Sequence, residues 1–428
     1  MSLALTLWLA IFVLGFALGA PVAFSMIAAS AVYFLVEGIP LDVVAETMVM
    51  GFNDKFVLLA VPLFIFTARV MNAGGITSRI FEFAGTMVGH MRGGLAQVNV
   101  VASIIFSGMT GSAIADASGL GLMEVRAMDD AGYDRPFSCA VTAASATIGP
   151  IIPPSIPMVI YAMLSGASVG ALFLAGVVPG LLMGGAMMGL IAWQARRRGY
   201  SKGPRPTWAV FRTAFKKAFL SLMTPVILLG GIYTGAFTPT EAAAVAALYA
   251  LILLAFVYRE FGARQMYEVL RDVVESTGML GFIIAGAFVF GHVVALEQLP
   301  ARAAEFLLGI TENRWALLLL LNVMFLVLGC FIDTMVLLLI VVPIVLPVAE
   351  AAGIDLVHFG VVLVLNMMIG LSTPPFGMLL FTITGLTRTP MGPVIREVLP
   401  FIVVLVGVLM LSTFVPGVVL WLPGLFGH

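Results

Sequence analysis

Two aspartates stand within long apolar stretches of this sequence and are the first candidates for ion or substrate chemistry. Asp116 follows the Gly- and Ser-containing residues 107–112, and Asp333 lies within residues 329–334. A carboxylate at membrane depth is costly, so its presence there indicates an ion or substrate pathway. For Asp333 the structural alternative is a helix cap, and a bound cation is compatible with either role.

Prolines interrupt two apolar segments of the chain. Proline removes a backbone donor and clashes with the preceding helical turn, so each helix must open within the membrane. Open backbone at that depth is tolerated only where it is buried in protein or lines a cavity. The freed carbonyls and the hydroxyls of Thr147 and Ser155 suit a hard monovalent cation, whereas a packing kink is the structural alternative. The prolines concerned are Pro150, Pro153, Pro154 and Pro157 in the first segment and Pro374 and Pro375 in the second.

The sequence aligns with itself at a constant offset of 221 residues, which is the separation of Gly108 and Gly329. No gap is needed between residues 108 and 154, and Ser112 and Asp333 occupy the same place in the repeat. Single matches of glycine or alanine are common by chance, whereas two multi-residue matches in one register are not. The matched segments are residues 131–134 (AGYD) with 352–355 (AGID) and residues 148–154 (IGPIIPP) with 369–375 (IGLSTPP).

The composition is that of a membrane protein. Of 428 residues, 61% are hydrophobic and only 10% are charged, which is too little charge to cover a soluble domain of this length. The net charge of −1 gives no electrostatic basis for nucleic-acid binding. The sequence contains no Walker motif, and Cys139 and Cys330 are expected to be small buried hydrophobes that form no disulfide.

The predicted fold is an all-α polytopic membrane protein with about ten transmembrane helices, since a span needs about 20 apolar residues. Two further apolar stretches, 93–124 and 315–345, are predicted as re-entrant helical hairpins with tips near 108–112 and 329–333. Glycine and serine suit such tips because the backbone can approach an ion closely there. The spans are predicted near 4–19, 22–36, 56–73, 137–163, 168–194, 218–236, 239–258, 275–297, 359–385 and 398–421.

Basic residues orient these spans. The densest Arg/Lys cluster, residues 196–217, marks a cytoplasmic loop and places both termini outside, in the periplasm. The two repeats are then inverted relative to each other, which is the architecture of secondary transporters with a site near the midplane. More polar segments are predicted as helices in the interface plane, or otherwise as loops, at 78–91, 207–217, 263–274, 300–310 and 389–398.

The motif residues resemble the large membrane subunit of TRAP transporters, the tripartite ATP-independent periplasmic type. The resemblance covers nearly the whole chain and is carried by residues 106–116 (FSGMTGSAIAD), 131–134, 148–156 (IGPIIPPSI) and 369–377 (IGLSTPPFG). It implies the ion transporter superfamily fold, with an elevator mechanism and sodium-driven import across the bacterial inner membrane. It also implies two partners, a small four-helix membrane subunit and a periplasmic substrate-binding protein, in addition to membrane lipids.

The resemblance also implies two sodium sites and a substrate site. The family often has Ser-Gly-Ser at the first tip where this chain has Thr110-Gly111-Ser112, and threonine retains the hydroxyl. The implied first sodium site is Ser107, Thr110, Ser112, Gly149 and Ile152. The implied second site is Gly329, Asp333, Gly370 and Thr373, and the positions implied near substrate are Asp116, Pro154, Ser155 and Pro375.

Several alternatives follow from the same residues. A stand-alone sodium- or proton-coupled anion or dicarboxylate transporter of the same superfamily is the second carrier hypothesis. A membrane-embedded enzyme would need a convergent nucleophile, base or metal set, so no enzyme activity is expected, and no cofactor other than coupling sodium ions. A channel is disfavoured by the paired broken helices. Family members carry organic acids such as C4-dicarboxylates, keto acids and sialic acids, and the sequence does not choose among them.

The expected organisation has five parts. No four-helix segment precedes the first span, so the small subunit is expected to be a separate chain. The parts are N-terminal scaffold helices (1–75), a first transport repeat (76–195), a cytoplasmic loop with central scaffold helices (196–274), a second transport repeat (275–385), and a C-terminal interfacial segment with the last helix (386–428).

Overall fold

The computed structural model describes residues 2–53, 55–73, 75–200, 202–259, 262–311 and 313–427. These residues fold almost entirely into helices, and their single isolated β-bridge joins Arg92 and Lys202. Eight helices in this part of the chain are long and apolar enough to cross a membrane. The prediction of an all-α polytopic membrane protein is therefore confirmed.

The first half of the chain contains eleven α-helices in the described residues. They are α1 (Leu3–Ala17), α2 (Val22–Glu37), α3 (Asp42–Asn53), α4 (Ala60–Ala73), α5 (Ile76–Val88), α6 (Gly94–Thr110), α7 (Ala113–Gly119), α8 (Gly121–Asp130), α9 (Arg135–Ser145), α10 (Ile156–Ser165) and α11 (Val169–Arg198). Short 3-10 turns at Phe56–Leu59 and Ala146–Ile148 precede α4 and follow α9.

The second half continues with ten α-helices. They are α12 (Trp208–Tyr233), α13 (Pro239–Ile252), α14 (Ala263–Leu296), α15 (Leu299–Ile310), α16 (Arg314–Phe331), α17 (Thr334–Ala351), α18 (Leu356–Leu371), α19 (Met378–Thr387), α20 (Met391–Phe414) and α21 (Pro416–Leu425). A π-helical turn at Leu253–Tyr258 extends α13.

The internal repeat extends over nearly the whole chain, well beyond the segment in which the sequences match. Helix α6 ends at Thr110 and α16 ends at Phe331, which is the offset found in the sequence. The same offset relates α7 and α8 to α17, α9 to α18, α10 to α19, and α11 to α20 with α21. It also relates α1 to α12, α2 to α13, α4 to the second half of α14, and α5 to α15. Both halves of the chain therefore share one backbone plan.

Both predicted hairpins are present as two helices joined by a short turn. At the first tip Gly111 adopts a left-handed conformation with φ of 60°, which suits glycine, and a Cβ there would lie 2.6 Å from the Pro154 carbonyl oxygen. At the second tip Ile332 is extended and Asp333 begins α17. These turns fall within or next to the predicted tips.

Both predicted interruptions are also present. The chain leaves helical geometry after Ile148 and resumes it at Ile156, where the Ser155 hydroxyl caps α10. The second interruption separates α18 from α19 at the equivalent place. The Pro153–Pro154 and Pro374–Pro375 peptide bonds are both cis, so the two repeats match in this detail as well.

Glycines along one face of α11 allow it to pack closely against the first interruption. A Cβ at Gly176 would clash with the Ile151 carbonyl oxygen, and one at Gly180 would clash with the Ile152 side chain. Further along, a Cβ at Gly184 would lie 2.5 Å from Ile104 Cδ1 of the first hairpin. Small residues at four-residue spacing are the usual means of close helix packing in membranes.

Three of the predicted interface helices are wrong as separate elements. Residues 207–217, 263–274 and 389–398 are the first turns of α12, α14 and α20. The first two segments contain no glycine or proline that would end a helix, so the helix continues into the apolar residues that follow. At about 1.5 Å per residue, α14 is about 51 Å long and exceeds the roughly 30 Å hydrocarbon core. The other two segments do form the separate helices α5 and α15, whereas α3 was not predicted.

We predict that Gly176→Ala destabilises the protein and that Gly189→Ala does not. The new methyl at Gly176 meets backbone that must shift, whereas Gly189 lies on the same helix with no atom within 4 Å. Overpacking of this kind typically costs about 1–3 kcal/mol. Thermal unfolding in detergent measures the difference, and equal midpoints for the two variants would contradict the described packing of α11.

Candidate functional site

The two hairpin tips and the first interrupted helix meet around one small cavity. Its volume is about 40 Å³, enough for an ion or a few water molecules. Polar groups on its wall come from Ser112 at the first tip and from Asp333 and Thr334 at the second. The full wall comprises Gly111, Ser112, Ala113, Ile114, Pro150, Pro157, Asp333, Thr334, Met335, Met368 and Leu371.

Each interrupted helix is closed by backbone from the hairpin of its own repeat. The Ile156 amide donates to the Gly111 carbonyl at 3.4 Å, and the Gly377 amide donates to the Cys330 carbonyl at 3.3 Å. Ile156 and Gly377 are equivalent positions in the repeat. Because a buried amide without a partner is costly, these contacts fix each tip against its broken helix.

Two hydroxyls of the implied first sodium site are arranged as acceptors. Ser107 and Thr110 are fully buried and lie one turn apart on α6. The Ser107 hydroxyl donates to the Ile104 carbonyl at 2.6 Å, and the Thr110 hydroxyl donates to Asp116 Oδ1. With each proton engaged, the oxygen lone pairs remain available to a cation.

The other members of this set lie on the neighbouring segments. Gly149 follows the 3-10 turn after α9, and a Cβ there would lie 2.5 Å from Asp116 Oδ2. Ser112 caps α7, with its hydroxyl accepting from the Ala115 amide at 3.4 Å. Ile152 is half-buried and packs on α11 at Gly180. The structure therefore brings Thr110, Gly149 and Asp116 together.

The implied second site is built around a close backbone crossing. A Cβ at Gly370 would lie 2.7 Å from the Gly329 carbonyl carbon, so α18 can approach α16 this closely only because residue 370 is glycine. The Thr373 hydroxyl donates to the Ile369 carbonyl at 2.7 Å and keeps its lone pairs free. Asp333 is half-buried and faces the central cavity shared with Ser112.

Asp333 is also a helix cap, which is the alternative role that the sequence predicts. Its Oδ1 accepts from the Met335 amide at 2.8 Å at the start of α17. Capping and cation binding are compatible, since the cap uses one oxygen of the carboxylate.

The residues implied near substrate do not form a single cluster. Ser155 is fully buried and caps α10 by accepting from the Met158 amide at 3.2 Å. Pro154 is buried with its carbonyl against Gly111, whereas Pro375 is exposed. Asp116 is 2% exposed and lies beside Gly149 and Thr110, among the residues implied for the first sodium site.

Sequence reasoning missed two buried polar groups near the site. Thr334 lines the central cavity, and its hydroxyl is buried without a partner among the described residues. Glu124 is 1% exposed, with Oε1 likewise unpartnered in this part of the chain. Backbone bonds from Leu120 to Asp116 and from Glu124 to Leu120 place both acids on one helical face. The spacing of eight residues between Asp116 and Glu124 was the available signal.

Buried polar networks support the two interrupted helices from behind. In the first repeat Asn99 bonds Thr142 at 2.7 Å and Ser145 at 2.7 Å, joining α6 to α9. In the second, Asn366 donates to Asn322 at 2.7 Å, and Asn322 donates to Thr413 at 2.8 Å. Ser145 and Asn366 are equivalent positions. Both repeats therefore tie the hairpin to the broken helix by hydrogen bonds as well as packing.

Two repeats, each with a hairpin and an interrupted helix around a shared cavity, match the architecture of a secondary transporter. The family model described as "Tripartite ATP-independent periplasmic transporter, DctM component" matches residues 9–418. The chain therefore belongs to the DctM family, the large membrane component of TRAP transporters. The resemblance seen in the motifs is confirmed.

Two relatives agree with this assignment, and a solved structure shares the fold. The chain is 47% identical over 409 residues to the sialic acid TRAP transporter large permease protein SiaM of Vibrio cholerae, covering 95% of this chain and 96% of that protein. It is 40% identical over 375 residues to the C4-dicarboxylate TRAP transporter large permease protein DctM of Pseudomonas aeruginosa, covering 88% of each. The crystal structure of the Alcanivorax borkumensis YdaH transporter shares the fold, with a TM-score of 0.63 and 14% identity over 88% of each chain.

We predict that Thr334→Val leaves the stability unchanged or slightly higher and lowers uptake. The folded state gains nothing from a buried unpartnered hydroxyl, whose burial typically costs about 1–3 kcal/mol. Thr384→Val is the matched control, because its buried hydroxyl is satisfied by the Leu380 carbonyl at 2.6 Å away from the cavity. Thermal unfolding and uptake are measured for both. A Thr334→Val variant that unfolds earlier yet transports normally would contradict the prediction.

Proposed function

We propose that this chain is the large permease subunit of a sodium-gradient-driven TRAP transporter that imports an organic acid across the bacterial inner membrane. The observation that carries the proposal is the meeting of two inverted hairpin tips and an interrupted helix at one cavity with a carboxylate on its wall. Freed carbonyls, hydroxyls and a carboxylate are the oxygen ligands that hard cations prefer. An anionic substrate can then bind beside the cations that accompany it.

Sodium is the favoured coupling ion because of the chemistry of the groups present. The hydroxyls of Ser107, Thr110 and Thr373 donate their protons within the protein and turn lone pairs outward. Such groups coordinate a cation but cannot titrate near neutral pH. Asp333 has one oxygen bound to the start of α17 and one available to a cation.

An elevator movement is supported by the contacts between the hairpin and the predicted scaffold helices. A Cβ at Gly108 of the first hairpin would lie 2.9 Å from Pro225 of α12. One at Gly119 would lie 2.5 Å from the Asn72 side chain of α4. Glycines at both contacts leave a smooth surface, which favours sliding of the hairpin against the scaffold over interlocking with it.

The partners follow from membership of a tripartite family. We propose a small four-helix membrane subunit, in a separate chain, against the exposed apolar surface of the scaffold helices, where Trp208 and Val226 of α12 are 76% and 56% exposed. A periplasmic binding protein would deliver substrate on the side of both termini. Full transport by this chain alone in proteoliposomes would instead support the stand-alone carrier.

Sialic acid is the first substrate candidate, because this chain is 47% identical to the relative SiaM over nearly the full length of both proteins. C4-dicarboxylates are the second candidate, since the relative DctM matches at 40%. Both are carboxylates, which fits a site that pairs an anion with cations. The 40 Å³ cavity is far smaller than either substrate class requires, so the tips must separate to admit it.

We predict that Asp333→Asn abolishes sodium-driven uptake and leaves the fold intact. Asparagine keeps an oxygen to cap α17 but removes the charge that a cation would balance. Asp355→Asn is the matched control, because Asp355 caps α18 in the same way, at 2.8 Å to the His358 amide, on an exposed position. Uptake is measured with the complete three-part system in liposomes.

The same system separates sodium from proton coupling. Sodium is varied at fixed pH, and then pH is varied at fixed sodium. Uptake that ignores sodium and follows the proton gradient would overturn the sodium assignment, while the carrier function would stand.

We predict that radiolabelled sialic acid is taken up and that excess unlabelled succinate does not compete. The prediction follows from the degree of similarity to the two relatives. Succinate, a C4-dicarboxylate, is the matched competitor, and unlabelled sialic acid is the positive control. Competition by succinate alone would assign the transporter to the second substrate class.

A further inference from the structure

The carboxylate of Asp116 does not line the central cavity between the two hairpin tips. Asp116 is absent from the wall of the cavity between the tips, although Ser112, four residues earlier, is part of it. It points instead toward the segment after α9, where Gly149 leaves room for Oδ2. Its position in the motif had placed it with substrate.

Asp116 is buried without a compensating positive charge. The side chain is 2% exposed, and its only hydrogen bond within the described residues comes from Thr110 to Oδ1. Oδ2 is buried with no partner there, and no ion pair to Asp116 is present in that part of the chain. A buried carboxylate without a partner costs several kcal/mol, so a cation beside Oδ2 would offset that cost.

The Thr110 hydroxyl is a second group that such a cation could contact. Its proton is donated to Asp116 Oδ1, so its oxygen lone pairs remain available as acceptors next to the carboxylate. A cation there would touch the hydroxyl oxygen and lie close to the negative charge. In a low-dielectric interior that charge acts strongly over a few ångströms.

The second repeat lacks this arrangement. The positions equivalent to Thr110 and Asp116 are Phe331 and Leu337, which can neither coordinate an ion nor orient a hydroxyl. The second hairpin carries its carboxylate at Asp333, whose equivalent in the first is Ser112. The shared backbone plan therefore does not explain Asp116, and a role specific to the first hairpin is required.

We propose that Asp116 supplies the negative charge of the first sodium site and orients the Thr110 hydroxyl as a sodium ligand, and that it does not contact substrate. This inference rests on the proposed function, since it assumes sodium coupling. It adds that the two sodium sites each contain one carboxylate, held at different depths in their hairpins. Gly149 is then required because a side chain would occupy the space beside Oδ2.

Sodium binding to the purified protein tests this proposal without transport. Bound sodium stabilises the folded state, so the unfolding midpoint rises with sodium concentration, with choline replacing sodium at constant ionic strength. For Asp116→Asn, the sodium concentration that gives half of the rise should increase at least about tenfold, equivalent to about 1.4 kcal/mol. Asparagine keeps the shape and an oxygen acceptor for Thr110. Glu268→Gln, in an exposed ion pair with Arg264, is the control and should not change it.

Variants at Thr110 test the orienting role independently. Thr110→Val removes the hydroxyl but leaves the carboxylate, and we expect a similar loss of sodium response. Thr110→Ser keeps the hydroxyl and should restore most of it. If Asp116→Asn fails to fold, the comparison of Thr110→Val with Thr110→Ser tests the proposal instead. If the Thr110 hydroxyl had a purely structural role, the two variants would respond to sodium equally.

Uptake assays separate the sodium role from a substrate role. At saturating sodium, the substrate KM of Asp116→Asn should stay within about twofold of the KM of the unmodified protein. Under this proposal Asp116 makes no contact with substrate, so its replacement leaves the substrate-binding free energy nearly unchanged. An unchanged sodium response with a raised substrate KM would overturn the proposal and return Asp116 to the substrate site. If the unmodified protein shows no sodium response at all, the sodium-driven function itself fails. If it responds and Asp116→Asn responds identically, only this inference fails.

Discussion

The structure depends on the requirement that every backbone amide at membrane depth finds a partner. Both repeats break a helix in the middle, and each break would leave amides exposed in a region without water. The carbonyls of Gly111 and Cys330 at the hairpin tips accept from Ile156 and Gly377 and so close both breaks. Each hairpin tip therefore supplies the hydrogen-bond acceptor that its broken helix lacks. The polar cavity lies between the tips because these contacts hold both tips against the two interrupted helices.

The two repeats share a backbone but not a set of side chains. The offset holds for nearly every helix, both breaks contain a cis proline pair, and Gly149 and Gly370 both permit close approach of a hairpin. Side chains differ at the same positions, as in Ser112 and Asp333 or Asp116 and Leu337. Symmetry thus sets where the tips and the breaks lie, and the departures from symmetry set which polar groups stand there.

Much of this architecture could be predicted from the sequence, because proline pairs and glycine-rich tips act locally on the backbone. Both hairpins and both interruptions appear where Gly111, Asp333 and the prolines indicate. Helix continuity was harder, since residues 263–274 are polar enough to suggest an interface helix but contain no residue that ends one. The position of Asp116 beside Gly149, and of Thr334 in the cavity, depends on how distant helices pack, which no local pattern encodes.

The number of membrane crossings in the repeat has an evolutionary consequence. In the predicted topology one repeat crosses with α1, α2, α4, the pair α9–α10, and α11, which is an odd number because the hairpin returns to its own side. After an odd number of crossings the chain ends on the opposite side of the membrane. A second copy joined there by tandem gene duplication therefore has the inverted orientation in the membrane, without any further change. A single event would thus have produced two facing copies of one tip, after which each was free to acquire its own ligands. In that topology, the odd number of crossings is what turns the second copy over.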